Sequence, residues 1–314
     1  MNFENLQREL FERKLKIVEY FKKVLEVLKY VIKENKLWIL FFVLSYIWLM
    51  LSNVRIREIF FKMQRLSLEI RNTGSYEQME LLTGYFTSML LIVFSTFLII
   101  LYVGFVKRII YFKVACKIEG NEDSYSLKKI FVKYIKMIGV ALLATIVFFL
   151  IALFVSMIQT FIILIMKVES ALAVKVIQII SMIIFGIIGF FIAINILYFE
   201  QTYYIRDMTV IDAFRYNLKL SKKNRLRIVV PVFGITVLNF IISLVLDKLL
   251  FYIPAYIIPV NIIYGVFASV VVLIITIMNV VIFLNVEYNY LKNKDEEMRK
   301  IEKNIFNVEK SCCQ

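Results

Sequence analysis

Apolar and polar positions alternate along this chain in long blocks rather than in short runs. A helix needs about 20 mostly apolar residues to cross the roughly 30 Å hydrocarbon core of a bilayer. Six blocks reach or approach that length, and clusters of charged residues separate them. They cover residues 37–52, 85–106, 137–166, 176–199, 228–246 and 264–286. The pattern predicts an all-α, polytopic integral membrane protein with six transmembrane helices arranged as three hairpins.

The segment between the last two blocks, residues 249–263, is apolar but contains Pro254 and Pro259. Proline lacks an N–H donor and restricts the residue before it, so these prolines argue against a continuous span. We interpret the segment as a connection that lies on the membrane surface. A re-entrant loop lining a pathway is the alternative, and such a loop has to be buried within protein.

Shorter apolar periodicities precede three of the blocks. In residues 20–32, apolar side chains recur at helical spacing, and residues 208–220 show a similar pattern behind Thr209, a residue type that caps helices. A weaker copy covers residues 125–139. The sequence therefore predicts amphipathic cytoplasmic helices before spans 1, 3 and 5. Chance similarity among lysine- and isoleucine-rich segments is the alternative explanation of this repetition.

Two heptapeptides at the starts of spans 1 and 5 are nearly the same. Residues 33–39 read KENKLWI and residues 222–228 read KKNRLRI, and we call them the first and the second basic step. Asn35 and Asn224 suit either the end of one helix or the cap of the next. Long basic side chains beside a span reach the headgroup phosphates of anionic lipid. The residues predicted to contact headgroups are Lys33, Lys36, Lys222, Lys223, Arg225 and Arg227.

Basic residues are distributed unequally between the two sides that the spans define. One side holds 30 of the 38 Lys and Arg residues, and the other side holds eight. Because strongly basic loops stay in the cytoplasm, both termini are predicted to be cytoplasmic in a multi-pass protein of the cell membrane. Setting this orientation is the alternative role for the basic steps. The predicted organisation is a cytoplasmic amphipathic basic helix over 1–36, a six-span membrane domain over 37–286 and a charged cytoplasmic tail over 287–314.

Composition narrows the range of functions. Apolar residues make up 61% of the chain, and the net charge is +14 without a single histidine. The lack of histidine excludes imidazole metal ligands, histidine general bases and Ser-His-Asp systems. The positive charge borders the spans and no nucleic-acid motif accompanies it, so the predicted partner is anionic membrane lipid and not nucleic acid. We therefore expect neither an enzyme nor a cofactor or metal site.

Residues 203–228, YYIRDMTVIDAFRYNLKLSKKNRLRI, combine several small motifs. An acidic turn at Asp207, a short helix with Ala213 and Ser221, and the entry to span 5 at Asn224 follow one another. This segment resembles the membrane-domain group of glycerophosphoryl diester phosphodiesterase and related uncharacterised six-helix bacterial membrane families. Residues 117–131, KIEGNEDSYSLKKIF, are similar to the segment after their second span. The resemblance implies a six-helix membrane fold but no activity, because the catalytic barrel of that enzyme is a separate soluble domain that uses histidine.

The polar side chains inside the spans are mostly uncharged, and no ionisable residue lies at the centre of a span. The residues predicted to make interhelical polar contacts are Gln159, Asn195, Asn239 and Asn279. A cavity lined for a substrate is the alternative. We expect a non-enzymatic membrane module that engages lipid or assembles with other envelope proteins. The second possibility is a transporter, or a transporter subunit, for a neutral or lipidic substrate.

Overall fold

The structure is a computed structural model that describes residues 3–73, 76–121, 126–165, 171–222, 224–253 and 256–312. Within these ranges the fold is entirely helical, with ten helices and no strand. The helices are α1 (Phe3–Glu12), α2 (Ile17–Glu34), α3 (Lys36–Thr73), α4 (Tyr76–Glu119), α5 (Leu127–Ile165), α6 (Ala171–Asn195), α7 (Phe199–Ile205), α8 (Val210–Ser221), α9 (Arg225–Tyr252) and α10 (Ile257–Cys312).

Five of the described helices, α3, α4, α5, α9 and α10, are long and apolar enough to cross a membrane. The fourth predicted span falls on α6, where the apolar stretch among the described residues, Ile179–Ile192, is shorter. Helices of this length and composition are typical of a multi-pass membrane protein. The count of six spans and their pairing as three hairpins stay predictions.

Two of the membrane helices are much longer than the predicted spans. α3 has 38 residues and α4 has 44, which correspond to about 57 and about 66 Å. Both therefore continue beyond a hydrocarbon core of roughly 30 Å. The region after the first span, where the block pattern predicts a loop, is helical to Thr73 and again from Tyr76. The part of α3 that continues beyond the predicted span contains ion pairs of Glu58 with Arg55 and with Lys62, both at 2.7 Å, which support the helix.

The N-terminal segment forms two helices where a single amphipathic helix was predicted over 1–36. α1 ends at Glu12 and α2 begins at Ile17. Glu19 supports the start of α2, because its Oε2 accepts the backbone N–H of Lys16 at 2.7 Å. α2 buries one face, and the predicted positions Val24, Leu28 and Val31 lie on it, whereas Leu25 and Ile32 are exposed.

A separate amphipathic helix precedes α9, but none precedes α5. α8 begins behind Thr209, whose Oγ1 accepts the Asp212 N–H at 3.3 Å, and this confirms the predicted cap. α5 runs without interruption from Leu127 to Ile165, so the helix predicted before span 3 is the first part of the span helix itself. This copy of the repeat lacks the asparagine of the two basic steps, and its Lys, Ile and Met residues favour a continuing helix.

The fourth span helix ends earlier than the apolar pattern predicts. α6 ends at Asn195, and a turn over residues 196–198 separates it from the short helix α7. The backbone N–H of Tyr198 donates to Asn217 Oδ1 at 2.9 Å. This hydrogen bond gives the Tyr198 N–H a partner outside its own helix, so the chain leaves the helical path there.

The segment predicted to lie on the membrane surface is largely helical, and its position relative to the membrane stays a prediction. α9 continues to Tyr252 and α10 begins at Ile257, so only a short connection lies between them. Pro259 is in the first turn of α10, where the missing N–H costs no helical hydrogen bond. Pro254 lies outside the described residues.

The chain divides into two compact units, residues 1–123 with 230–314 and residues 124–229. In the first unit, α10 is the central helix: its residues 280–284 are fully buried, and α1, α2, α3 and α4 pack against it. α10 also extends through most of the predicted charged tail. In the second unit, α7 packs on α8 around Tyr203, Tyr204 and Ala213.

Candidate lipid-contact sites

At the first basic step, Asn35 joins α2 to α3. Its backbone N–H and its Nδ2 both donate to Val31 O, at 3.1 and 3.2 Å, and these bonds close the last turn of α2. Its carbonyl oxygen accepts the Ile39 N–H at 3.0 Å and so begins the first turn of α3. Its Oδ1 accepts Lys113 Nζ of α4 at 2.6 Å. Asn35 therefore ends one helix and starts the next.

At the second basic step, Asn224 joins α8 to α9 in a similar way. Its Nδ2 donates to Leu220 O at 3.1 Å, again the carbonyl four residues earlier. Its own carbonyl oxygen accepts the Arg227 N–H at 3.2 Å and the Tyr198 hydroxyl at 3.0 Å. The two steps share one arrangement, in which the asparagine side chain closes the amphipathic helix and its carbonyl begins the membrane helix.

The basic side chains at the steps differ in burial. Those that are exposed are Lys33, Lys36, Lys222 and Arg225, and Lys223 lies outside the described residues. Arg227 is half-buried, and its Nη1 atom is buried without a hydrogen-bond partner in the described part of the chain. A buried guanidinium nitrogen without an acceptor costs free energy, so an anionic oxygen would be stabilised beside it.

Asn195 connects three helices next to the second basic step. Its Nδ2 donates to Phe191 O within α6 at 2.9 Å, and its carbonyl oxygen accepts Asn217 Nδ2 of α8 at 2.5 Å. Its Oδ1 accepts Arg225 Nη2 of α9 at 2.7 Å. The structure thus brings together two residues that the sequence assigned separately, Asn195 to an interhelical contact and Arg225 to headgroups. The guanidinium group has five N–H donors, so Arg225 retains donors for a second partner.

The other three residues predicted to make interhelical polar contacts have different surroundings. Asn239 Oδ1 accepts the Tyr264 hydroxyl at 3.4 Å and so connects α9 with α10. Asn279 has a buried Oδ1 atom without a hydrogen-bond partner among the described residues. Gln159 lies half-buried on α5. Of these three, only Asn239 makes a hydrogen bond between helices within the described ranges.

Asp207 fastens the turn between α7 and α8 to α5. Its φ of 53° lies in the left-handed region, which Asp tolerates better than most residues. Its carboxylate pairs with Lys129 and, at 2.8 Å, with Lys133, whose Nζ also donates to Tyr203 O at 2.8 Å. Burial opposes ionisation of Asp207, but the hydrogen bonds from both lysines outweigh it and hold the pKa of Asp207 below its ordinary value.

Asn285 of α10 is a buried polar centre that the sequence analysis missed. Its Oδ1 accepts the Tyr20 hydroxyl at 2.6 Å and the Leu15 N–H at 3.2 Å. Its Nδ2 donates to Leu10 O at 2.7 Å and to Arg13 O at 2.8 Å. The α1–α2 turn is thereby fixed to the central helix. The available signal was an asparagine inside the apolar block at residues 264–286, with Asn289 one turn later.

A cavity of about 690 Å³ lies between α3, α9 and α10 in the first unit. Its lining is mostly apolar and includes three charged side chains. The lining residues are Met50, Asn53, Val54, Arg57, Glu58, Phe61, Ser243, Leu246, Asp247, Leu250, Ile257, Val260, Asn261 and Tyr264. None of them was a predicted site residue, although a lined cavity was the alternative for the polar residues of the spans.

The two ends of this cavity differ. On one side, near the middle of α3 and the end of α9, Arg57 Nη1 lies 3.9 Å from Asp247 Oδ1. Near Tyr264, α3 and α10 approach each other so closely that a Cβ added at Gly265 would lie 2.8 Å from Ile47 Cα. The helices therefore meet at Gly265 and leave space for the cavity beyond it.

The chain matches no family model, no curated protein and no solved structure. The resemblance to the six-helix membrane families therefore stays a prediction. Among the described residues, no group of three or more Cys, Asp or Glu side chains lies close enough together to hold a metal ion.

Proposed function

We propose that this chain is a non-enzymatic multi-pass membrane protein that binds anionic lipid headgroups at its two basic steps. The observation that carries this proposal is the buried Nη1 of Arg227, which lacks an acceptor within the described residues. Exposed Arg225 and Lys222 lie two and five residues before it along the chain. A headgroup phosphate supplies the acceptor oxygens that a guanidinium group binds most strongly. The second step therefore suits a phosphate.

The first basic step supports the same function with a weaker charge. Lys33 and Lys36 are exposed on either side of Asn35, with exposed Glu34 between them. The second step carries four basic residues and no acidic one. We therefore expect the second step to bind anionic lipid more strongly than the first. With both termini on the cytoplasmic side, both steps lie where anionic lipid is concentrated.

Lipid retention by the purified full-length protein tests this proposal. Native mass spectrometry counts the phosphatidylglycerol and phosphatidylcholine molecules retained at equal supply. Each basic residue near an anionic surface contributes about 1 kcal/mol, so the double variant Lys222→Gln with Arg227→Gln should bind phosphatidylglycerol roughly 30-fold more weakly. High salt should weaken the parent in the same direction.

The matched control for this experiment also removes two positive charges, but from the part of α3 that continues beyond the predicted span. Arg55→Gln with Arg65→Gln changes two exposed basic residues far along the chain from both steps. This variant should retain phosphatidylglycerol like the parent. Equal retention of both lipids by the parent, at any salt concentration, would assign the basic steps to setting membrane orientation alone.

A transporter for a neutral or lipidic substrate is the second candidate, and the cavity between α3, α9 and α10 favours it. The protein reconstituted in vesicles should then move a fluorescent lipid analogue between leaflets. Ser243→Phe places a large side chain on the cavity wall and should reduce that movement. Movement at the same rate in the parent, in this variant and in protein-free vesicles would remove the transporter from consideration.

A further inference from the structure

We propose that the cavity between α3, α9 and α10 binds the headgroup of a phospholipid that carries a primary ammonium, with the phosphate at Arg57 and the ammonium at Asp247. This inference goes beyond the proposed function. It concerns a zwitterionic lipid rather than an anionic one, and it uses none of the basic-step residues.

The cavity lies near one membrane surface, at the opposite end of the α3 span from the first basic step. Lys36 is the first residue of α3, and Arg57 follows 21 residues later in the same helix. At the rise of an α-helix this separation is about 32 Å, close to the roughly 30 Å thickness of the hydrocarbon core. A side chain at the level of Arg57 is therefore at headgroup height when Lys36 is at headgroup height on the other side.

Arg57 and Asp247 form a weak ion pair that a zwitterion can replace. Their charged atoms are 3.9 Å apart, and their side chains are 71% and 54% exposed. Pairs with this exposure contribute little to stability. Glu58, by contrast, already binds Arg55 and Lys62 at 2.7 Å. The cavity thus offers one cation and one anion at neighbouring positions, and a headgroup presents the complementary charges two carbon atoms apart.

A second polar residue of the cavity lining, Asn261, favours a primary ammonium over a trimethylammonium. Asn261 Nδ2 donates to Ile257 O at 2.6 Å, which leaves its Oδ1 as an unused acceptor among the described residues. A primary ammonium has N–H donors for both Asp247 and Asn261, whereas a trimethylammonium has none. The selectivity expected of this site is therefore for phosphatidylethanolamine over phosphatidylcholine.

The rest of the lining favours a lipid over a soluble headgroup. Met50, Val54, Leu246 and Val260 contribute apolar surface to the cavity, which borders the span. Glycerol and the first acyl carbons of a lipid can cover that surface, but a soluble phosphoethanolamine cannot. Phosphatidylethanolamine and soluble glycerophosphoethanolamine share a phosphate diester with a primary ammonium, and the site is expected to bind the membrane lipid.

Binding to the purified full-length protein in detergent tests the proposal. Four probes are titrated: short-chain phosphatidylethanolamine, phosphatidylcholine and phosphatidylglycerol of equal chain length, and soluble glycerophosphoethanolamine. Native mass spectrometry reports occupancy. We expect phosphatidylethanolamine to bind at least tenfold more tightly than phosphatidylcholine and glycerophosphoethanolamine, while phosphatidylglycerol binds at the basic steps as the proposed function expects. Asp247→Asn and Arg57→Gln should each remove that preference, while Arg65→Gln, on the same helix outside the cavity, should keep it.

A second variant separates loss of the site from loss of the fold. Ser243→Phe leaves both charges in place and narrows the cavity, so it should weaken the preference while the protein melts like the parent. An unchanged preference in Asp247→Asn and in Ser243→Phe would overturn the proposal. Equal affinity for soluble glycerophosphoethanolamine, or for phosphatidylcholine, would also overturn it. Loss of phosphatidylglycerol binding in the basic-step variants is a different result and tests only the proposed function.

Discussion

Asn285 shows how much structure one side chain can hold. An asparagine amide has two donors and an acceptor oxygen with two lone pairs. Asn285 uses both donors and accepts two hydrogen bonds, all with groups of the N-terminal segment, while its side chain is fully buried. A buried polar group is tolerated only when its hydrogen bonds are made, and this one has all of them. The residue therefore determines where α1 and α2 attach.

Replacing Asn285 with Leu should destabilise the protein strongly. The substitution removes all four side-chain hydrogen bonds of Asn285 and leaves Arg13 O and the Leu15 N–H without a partner among the described residues, while Leu10 O keeps the bond from Asn289 Nδ2 at 3.4 Å. Each unsatisfied group costs about 1–3 kcal/mol, so the total should be at least about 2 kcal/mol. Thermal unfolding in detergent measures it. The control is Thr276→Val, because the Thr276 hydroxyl bonds only Val272 O of its own helix. Equal melting of the two variants would contradict this role.

Asp207 should give the second unit a pH-dependent stability. Its pKa is lowered in the folded protein, so its contribution is complete above the unfolded value of about 3.9 and is lost as the pH falls through the lower folded value. Asp207→Asn keeps a residue that tolerates positive φ but removes the charge. The variant should melt below the parent at pH 7, and the difference should shrink below pH 4. Glu80→Gln, an exposed carboxylate on α4, is the control. If the melting temperatures of Asp207→Asn and the parent differed by the same amount from pH 7 to below pH 4, the charge of Asp207 would not be the cause of the difference.

At the scale of the element, the two basic steps are helix junctions set by asparagine. In both, the side-chain Nδ2 bonds the carbonyl four residues earlier, and the asparagine carbonyl receives the first hydrogen bond of the next helix. Where the repeat lacks an asparagine, before span 3, the junction is absent and α5 is continuous. One residue type therefore decides whether an amphipathic segment is a separate helix.

Substitutions of Asn35 should separate its two contributions. Asn35→Ala removes the side-chain bonds to Val31 O and Lys113 and introduces a strong helix former, which favours fusion of α2 with α3. A loss of about 1–2 kcal/mol in unfolding free energy is expected. Asn35→Asp keeps an oxygen for Lys113 and should lose less. Thermal unfolding and amide exchange over residues 33–40 measure both effects. The same stability for Ala and Asp would show that the Lys113 contact contributes nothing.

The elements that local sequence determines were predictable, and those that depend on distant contacts were not. Apolar blocks located the membrane helices because hydropathy is a local property, and Thr209 marked the start of α8. The division between α1 and α2 was not predictable, since Asn285, some 270 residues away, holds the intervening turn. The cavity was missed for the same reason: its lining comes from three separate segments of the chain. The part of α3 beyond the predicted span was missed because the apolar pattern ends there, although the polar residues that follow still favour a helix.

At the scale of the whole molecule, the long apolar helices differ in how much of their surface the protein buries. None of the most apolar part of α5 is buried within the described residues, whereas 61% of the corresponding part of α10 is. Apolar helix surface that protein does not cover is stable in lipid and not in water. α10 therefore acts as the core of its unit, and we expect the exposed apolar surface of α5 to contact lipid.

The predicted orientation can be tested with two matched positions. Leu68 on α3 and Ile211 on α8 are 63% and 65% exposed, so both should react equally once reagent reaches them. Single cysteines are introduced after Cys116, Cys312 and Cys313 are replaced by serine. An impermeant thiol reagent on intact cells should label position 68, and position 211 should need permeabilisation. Labelling of position 211 from outside would reverse the orientation.

At the contact of Gly265 with Ile47, α3 and α10 are so close that a Cβ on residue 265 would meet the Ile47 backbone. We expect the two helices to tilt about this point, because they cannot come closer there. A tilt that widens the cavity on one side of the Gly265–Ile47 contact narrows the gap between the helices on the other side. One pair of spin labels is placed across the cavity, at positions 61 and 257, and a second pair on the other side of the Gly265–Ile47 contact, at positions 40 and 270. When short-chain phosphatidylethanolamine binds, the distances within the two pairs should change in opposite directions. Binding of a lipid on one side of the membrane would then change the spacing of α3 and α10 on the other side, and neither helix would need to bend.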